Sequence, residues 1–460
     1  MGEASQSMVE YKVFPEEITI ENFKSIKSLT LRLKPGINLL VGPNGSGKTN
    51  ILEAIYFFTK ALSRDELIKI PYEPYRPYYW DPQDLFYMRD INNPLGFRVN
   101  LRIAWRENDD VYSTRMSIYA KFALTGPRSI EPQYVEINTG ESRMEIMEGK
   151  VRIYVKAEYS EYLRKLKITP KRFKESDGYL ISESRFVRHD IHTELLLTLY
   201  PPLSRGGFST RADHDIIVIS SIGEPFINRL PLVLRLSKAS ADEFKGKAIR
   251  TPIPYFYFIF NTLFSNAIYL KHPDIGAISE PVPLRGLERM DIRARNLVSI
   301  LYSLRANRQQ LRNLDWVLRE LFPEVSISFK DVAGRVALTM QERGLELPPP
   351  NMPDGLIKVL AITTATELEP SILLIDEIEN SLHARALEVV FDLLNNLEVP
   401  VLIATHSPIL VDLAGPERTM IVNRDPNAGT VVEQIDKVES LRGRLKELGV
   451  AFSDYVFYGR

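Results

Sequence analysis

The octapeptide Gly42-Pro-Asn-Gly-Ser-Gly-Lys-Thr49 constrains this chain more than any other stretch. A glycine, four residues, then Gly47-Lys48-Thr49 is the spacing that wraps backbone around a phosphate group. Glycines let successive N–H groups converge, and the N-terminus of a following helix adds a positive dipole end. The flanks agree with this reading. Pro35-Gly36 punctuates, Ile37-Asn-Leu-Leu-Val41 reads as a buried strand, and Ile51, Leu52, Ile55, Phe58 and Leu62 are spaced as one helix face. A tight structural turn is the bland alternative, and it leaves the strand–loop–helix order unexplained. The nucleotide-binding set is therefore Asn44, Gly45, Ser46, Gly47, Lys48, Thr49 and Asn50. Lys48 would reach the β/γ-phosphates and the Thr49 hydroxyl would hold Mg²⁺.

Two further runs suit the same α/β architecture. Ile372-Leu-Leu-Ile-Asp-Glu377 is four apolar residues ending in two carboxylates. A buried parallel strand delivers such residues at its C-terminal edge, where ligands sit. Asp376 is expected to hold Mg²⁺ and Glu377 to polarise the attacking water. An ordinary strand followed by a solvated acidic turn is the competing reading, weakened by the presence of the phosphate loop. Val401-Leu-Ile-Ala-Thr-His-Ser407 is a third buried run. A neutral imidazole at its tip, His406, can hydrogen-bond a γ-phosphate or the attacking water.

Elsewhere the periodicity separates the chain into blocks. Ile18–Ile26 and Leu29–Leu33 alternate as half-buried strands, and period two returns from Phe97 to Ala157, which predicts an antiparallel sheet. From Glu158 to about Phe322 the pattern turns mainly helical. It closes on one apolar stripe: Leu297, Leu301, Leu304, Leu311, Leu314, Leu318 and Leu321. Short strands resume at Val325, before a proline-rich loop at Pro348–Pro353. The expected division is a discontinuous head, 16–157 and 323–460, with an antiparallel β-lobe at about 97–157, and a mainly helical inserted arm, 158–322.

These motifs resemble the ABC-type ATPase heads of the RecF, SMC and OLD group, and most of all stand-alone OLD-like AAA-family ATPases without long coiled coils. The resemblance covers Ile18 to about Leu62 and about Leu347 to Arg460, and is weaker between. It implies a Walker A at Gly42–Thr49 and a Walker B with its catalytic glutamate at Ile372–Glu377. It also implies a D-loop at Ser381-Leu382-His383 and a switch histidine at His406. The Q-loop glutamine, which would approach Mg²⁺ and the attacking water, is best matched by Gln83, 35 residues after Lys48. The signature motif is matched by Met352-Pro-Asp-Gly355, where Pro353 replaces the serine that usually contacts the opposite subunit's γ-phosphate. Gly355 and the helix after it still offer N–H groups to phosphate.

The resemblance thus implies an ATP phosphohydrolase with ATP and Mg²⁺ as ligands. It would work as a homodimer or higher even oligomer that closes on ATP and moves its arms against DNA or a separate nuclease or effector protein. The settings it suggests are DNA repair, chromosome maintenance and anti-phage defence. A scaffold gated by ATP with little hydrolysis, assembling with a separate effector, is the alternative, and Pro353 leans that way. Lys48 and Gly355 stand 307 residues apart, too far for a transporter subunit, and the 54 residues after His406 hold no Toprim pattern.

Composition narrows the rest. Lys plus Arg (58) and Asp plus Glu (59) leave a net charge of −1, which excludes a globally basic nucleic-acid binder. Cysteine is absent, removing disulfides, thiolate metal sites and a cysteine nucleophile. Met1–Tyr11 carries no apolar signal-peptide core, and Ile253–Leu270 is too interrupted to span a bilayer, so a cytoplasmic protein without membrane contact is expected. His189 and His192 with His214-Asp215 could form a metal cluster but fit surface and capping roles better. Eight arginines between Arg285 and Arg319 face only three acids. They could track phosphates, though a solvated helix face is the commoner use. The aromatics of Tyr255–Phe264 read as helix core rather than as base-stacking groups.

Overall fold

The computed structural model describes residues 11–62, 81–107, 110–126, 129–138, 140, 142–147, 150–156, 174–176, 179–185, 217–218, 233–234, 266–283, 289–307, 311–435 and 437–458. Along the chain, β1 (Tyr11–Phe23), β2 (Ile26–Arg32) and β3 (Gly36–Val41) lead into α1 (Lys48–Leu62). Then come β4 (Leu95–Glu107), β5 (Asp110–Gly126), β6 (Ser129–Asn138), β7 (Ser142–Met147), β8 (Lys150–Lys156), β9 (Lys174–Ser176) and β10 (Tyr179–Arg185). A short pair, β11 (Ile217–Val218) and β12 (Val233–Leu234), precedes β13 (Ala267–Leu270), α2 (Ile275–Ser279), α3 (Leu297–Ala306) and α4 (Arg312–Leu321). A three-stranded antiparallel sheet follows: β14 (Val325–Val332), β15 (Arg335–Glu342) and β16 (Leu345–Leu347). The chain ends with α5 (Asp354–Glu367), β17 (Ile372–Asp376), α6 (Ala384–Asn395), β18 (Pro400–Thr405), α7 (Pro408–Ala414), β19 (Thr419–Asp425), β20 (Gly429–Gln434), α8 (Val438–Leu448) and α9 (Phe452–Tyr458).

These elements form two compact units, residues 25–57 with 266–460 and residues 1–24 with 58–265. The first, the phosphate-loop unit, has strand order β13-β17-β18-β3-β19-β20-β2. Neighbours from β13 through β19 run parallel, and β20 pairs antiparallel with both β19 and β2. Every residue of β3 and β18 is buried. Both faces of a parallel sheet are covered, so such strands read as unbroken apolar runs. Ile37, Leu39, Leu373, Ile375, Val401 and Ile403 of this sheet share one core with Leu356, Val359 and Leu360 of α5 and with the leucines of α3 and α4. The single polar residue inside β3, Asn38, is satisfied locally, accepting from the Lys34 N–H and donating to the Lys34 and Gly36 carbonyls.

The second unit has order β1-β4-β5-β6-β7-β8-β10-β9, with antiparallel pairing from β1·β4 through β10·β9. One face is apolar, with Ile18, Ile20, Phe97, Val99, Leu101, Ile118 and Phe122 buried. Phe58, at the end of α1, stacks on Phe97 with ring centroids 4.5 Å apart.

Four expectations need correction. The arm does not run to residue 322: β13 joins β17 in parallel, and α3 and α4 supply leucines to the core of the phosphate-loop unit. A four-residue apolar strand beside an aromatic run carries no periodicity that separates it from a helix. The block after 157 is not wholly helical either, since β9 and β10 extend the antiparallel sheet through Arg185. The leucine stripe is two helices, α3 and α4. At the N-terminus, positive φ at Asn22 and Lys24 moves the turn to 24–25, so the strands are 11–23 and 26–32. His189, His192, His214, Asp215, Arg285, Arg308 and the aromatics of 255–264 lie outside the described residues.

Candidate active site

The phosphate loop leaves the C-terminal end of β3 and enters α1, in the centre of the parallel sheet, as the sequence predicts. Two of its glycines, Gly42 and Gly47, are there for space. A Cβ on Gly42 would lie 2.0 Å from the Val422 carbonyl oxygen, and one on Gly47, at φ +110, would lie 2.1 Å from the Thr430 hydroxyl. The Lys48 ammonium donates to the carbonyls of Gly42 (2.8 Å) and Pro43 (3.0 Å). Burial lowers its pKa, opposed by Asp376, Glu379 and Glu377. Ser46 Oγ is buried with no hydrogen-bond partner. An orphaned hydroxyl in a loop of converging N–H groups fits a phosphate oxygen.

Asp376 ends β17 next to the loop, although 327 residues separate it from Thr49. The Thr49 hydroxyl donates to Asp376 Oδ2 at 3.1 Å, and Tyr269 of β13 reaches the same oxygen at 3.4 Å. Burial raises the Asp376 pKa, partly offset by Thr49 and Lys271. A buried carboxylate paired with a hydroxyl is a hard-oxygen donor set of the kind that suits Mg²⁺.

Glu377 is exposed and adopts a left-handed conformation, φ +50. Its N–H donates to the Ala404 carbonyl at 2.9 Å, and its Oε2 accepts from Asn380 at 2.7 Å. His406 is half-buried directly after β18, and its backbone N–H donates to Glu379 Oε1 at 2.6 Å. Burial first, and then the Lys48 charge, lowers the His406 pKa, which keeps the imidazole neutral at pH 7.

Gly355 lies in the first turn of α5, where a Cβ would stand 2.6 Å from the Ser381 carbonyl oxygen. Pro353 occupies the N-cap and makes no side-chain capping bond. Ser381, at φ +66, and His383 follow the Glu377 turn, and His383 Nδ1 accepts the Ala386 N–H to cap α6. Gln83 sits in the other unit, on a 3₁₀ turn at Pro82–Leu85 whose N–H bonds Asp81.

Several contributors carry no signal in sequence. Glu379 accepts from the Thr405 hydroxyl at 2.8 Å as well as from the His406 N–H, tying β18 to the Glu377 turn. Ser25 accepts from Asn50 and shares a hydrogen bond with Thr430, whose hydroxyl bonds the Ser46 carbonyl of the loop at 3.0 Å. Glu53 is almost fully buried and pairs with Lys271 at 2.7 Å. Only the acid three residues beyond Asp376 could have drawn attention to Glu379. The arginine-rich segment is largely engaged, with Arg295 on Asp274 and Arg305 on Asp315.

Two protein families match this chain. Residues 16–182 match an AAA ATPase domain, and residues 208–412 match an AAA domain described as a putative AbiEii toxin of a type IV toxin–antitoxin system. Both halves of the nucleotide site fall within these matches. The chain therefore carries two segments that resemble AAA-type ATPase domains. Over 39 residues it is 56% identical to the DNA replication and repair protein RecF of Vibrio vulnificus, a stretch covering 8% of this chain and 11% of that one. It is 53% identical to RecF of Prosthecochloris aestuarii over 51 residues, 11% of this chain and 14% of the relative. The chromosome partition protein Smc of Methanocaldococcus jannaschii is 48% identical over 52 residues, 11% of this chain and 4% of the relative. The matches thus span about a seventh or less of these relatives. An SMC head from Pyrococcus furiosus, solved with an extended coiled coil and the C-terminal domain of ScpA, aligns with TM-score 0.46 and 13% identity over 95% of this chain and 100% of that chain. Among the described residues no helix is long and apolar enough to cross a membrane.

Proposed function

We propose that this ATPase hydrolyses ATP as a pair of heads that close over nucleotide and open after hydrolysis, passing the motion to a partner. The observation that carries the reading is the contact of Thr49 with Asp376, two hydroxyl- and carboxylate-bearing residues from distant segments, beside the buried Lys48. In this reading residues 44–50 cradle the phosphates and Lys48 leaves its loop carbonyls for the β/γ-phosphate oxygens. Glu377 takes the proton of the attacking water, and neutral His406 hydrogen-bonds the γ-phosphate. Magnesium, held by Thr49 and Asp376, with Gln83 assigned by resemblance, would neutralise charge on the transferring phosphoryl group.

The named roles of the relatives, DNA repair and chromosome partition, make DNA the first partner to try, with a separate nuclease or effector protein next. OLD-like kinship and anti-phage defence belong to the same proposal. Steady-state ATP turnover, with and without duplex and single-stranded DNA, tests it against a Glu377→Gln control. Lys48→Ala should abolish nucleotide binding, and wild-type turnover in that variant would sink the assignment. A second reading, a scaffold that binds ATP and hardly hydrolyses it, is supported by Pro353 at the α5 N-cap, where no side chain is left to reach a γ-phosphate across a dimer. Turnover far above the spontaneous rate excludes that reading.

A further inference from the structure

Lys358 is the residue the proposed cycle does not use. It lies one turn into α5, is 3% exposed, and its ammonium donates at 2.6 Å to the backbone carbonyl of Glu377. Burying an ammonium has an effective cost of several kcal/mol, and the apolar core around α5 has no packing need for one. Burial lowers its pKa to about 8, and the carboxylates of Glu379, Glu377 and Asp376 oppose that shift.

The backbone it grips is unusual. Glu377 holds φ +50, a conformation that costs a side-chain-bearing residue about 1 kcal/mol or more and survives only where surroundings enforce it. Two anchors hold it: the Glu377 N–H on the Ala404 carbonyl, and Lys358 on the Glu377 carbonyl. A third contact lies at the far end of the same turn, where Gly355 abuts the carbonyl of Ser381, itself at φ +66. The first turns of α5 therefore touch both ends of the segment Glu377–Ser381.

We propose that Lys358 is a positioning residue: its ammonium pins the left-handed turn that aims the Glu377 carboxylate, so that the orientation of the base follows the N-terminal end of α5 within the same subunit. This rests on Glu377 being the base. Displacement of that end of α5, by a second head or by another partner, would then reach the reacting water through one lysine. The device works without a signature serine, which matters in a chain with proline at that place.

The test compares Lys358→Met, which keeps the aliphatic stem and removes the charge, with Lys358→Arg, which keeps the charge. Lys358→Met should lower kcat about 10–100-fold, the range expected when a reacting group is misplaced by about 1 Å. KM for ATP and the Kd of a fluorescent ATP analogue should stay within about twofold, and Lys358→Arg should recover most of the loss. Adding Lys358→Met to Glu377→Gln should cost nothing further, because the lysine acts only through that glutamate. Wild-type kcat in Lys358→Met, or a loss of ATP binding equal to the loss of kcat, overturns the proposal. Normal turnover in Glu377→Gln instead removes the reading beneath it, and the two failures are told apart by that one control.

Discussion

The two units of this protein place their polar residues in different ways. In the phosphate-loop unit β3 and β18 are buried along their whole length, so these two strands offer no face for chemistry and polar groups gather where they end. Lys48, Asp376, Glu377 and His406 all stand at such ends. In the antiparallel unit β1 and β4 alternate between buried and more exposed residues, and described polar side chains pair along the strands. There Tyr119 donates to Glu21, Tyr134 to Glu136 and Tyr154 to Glu145, and Arg98 lies 4.4 Å from the Tyr119 ring centroid. A buried parallel sheet concentrates function at one edge, and a half-solvated antiparallel sheet spreads polar contacts so widely that each matters little.

Substitutions can break or sharpen that contrast. The largest effect belongs to Glu377→Gln, which should lower ATP turnover at least about 100-fold with ATP binding retained. A turnover assay beside a binding titration decides it, and loss of both together would count against a role confined to chemistry. Next comes Gly47→Ala, where the new methyl meets the Thr430 hydroxyl at φ +110. It should abolish ATP binding, whereas Gly140→Ala in the antiparallel unit, at φ +82 with nothing within 4 Å, should cost only about 1–2 kcal/mol in denaturant unfolding. Equal losses at the two glycines would contradict the importance given to close approach.

Ion pairs give the third contrast. Lys271→Met leaves Glu53 buried without that ammonium and should destabilise by roughly 3 kcal/mol, the low end for a broken buried pair because Lys271 keeps some exposure. Arg115→Ala removes a guanidinium that is 83% exposed beside Glu16 and should cost about 0–1 kcal/mol. Chemical denaturation curves for both variants settle the ranking. The smallest effect is Tyr119→Phe, about 1 kcal/mol or less. Burial, with Glu21 next, raises the Tyr119 pKa from 10.0 to about 12. A raised pKa means stability that is complete below pH 10 and is lost as pH climbs through about 12. Tyr119→Phe should flatten that alkaline decline, and an unchanged pH profile would show that the Tyr119–Glu21 bond contributes nothing there.

Much of the site was legible in the sequence because its motifs are local. Four residues between Gly42 and Gly47, an apolar run ending at Asp376, and a strand ending at His406 each state a backbone path and a chemistry within eight residues. The alternation of β4 to β8 was equally plain. What misled was a feature with no period. Ala267–Leu270 is too short to declare itself a strand, and the leucines of α3 and α4 look the same on an arm as in the core they enter.

Sequence alone therefore determined the strand–loop–helix at Ile37–Leu62, the apolar strand ending at Asp376, the strand ending before His406 and the antiparallel character of the β4–β8 block. Each rests on neighbours along the chain, on glycine's freedom and on the two periods of secondary structure. Only the tertiary structure decided that β13 flanks β17, that Glu379 ties His406 to the Glu377 turn, that Ser25 and Thr430 back the loop, and that Lys358 lies under Glu377. These contacts depend on the order and register of strands far apart in the chain. They join residues whose types, a lysine on an apolar helix or a threonine starting a strand, mean nothing until their neighbours are known.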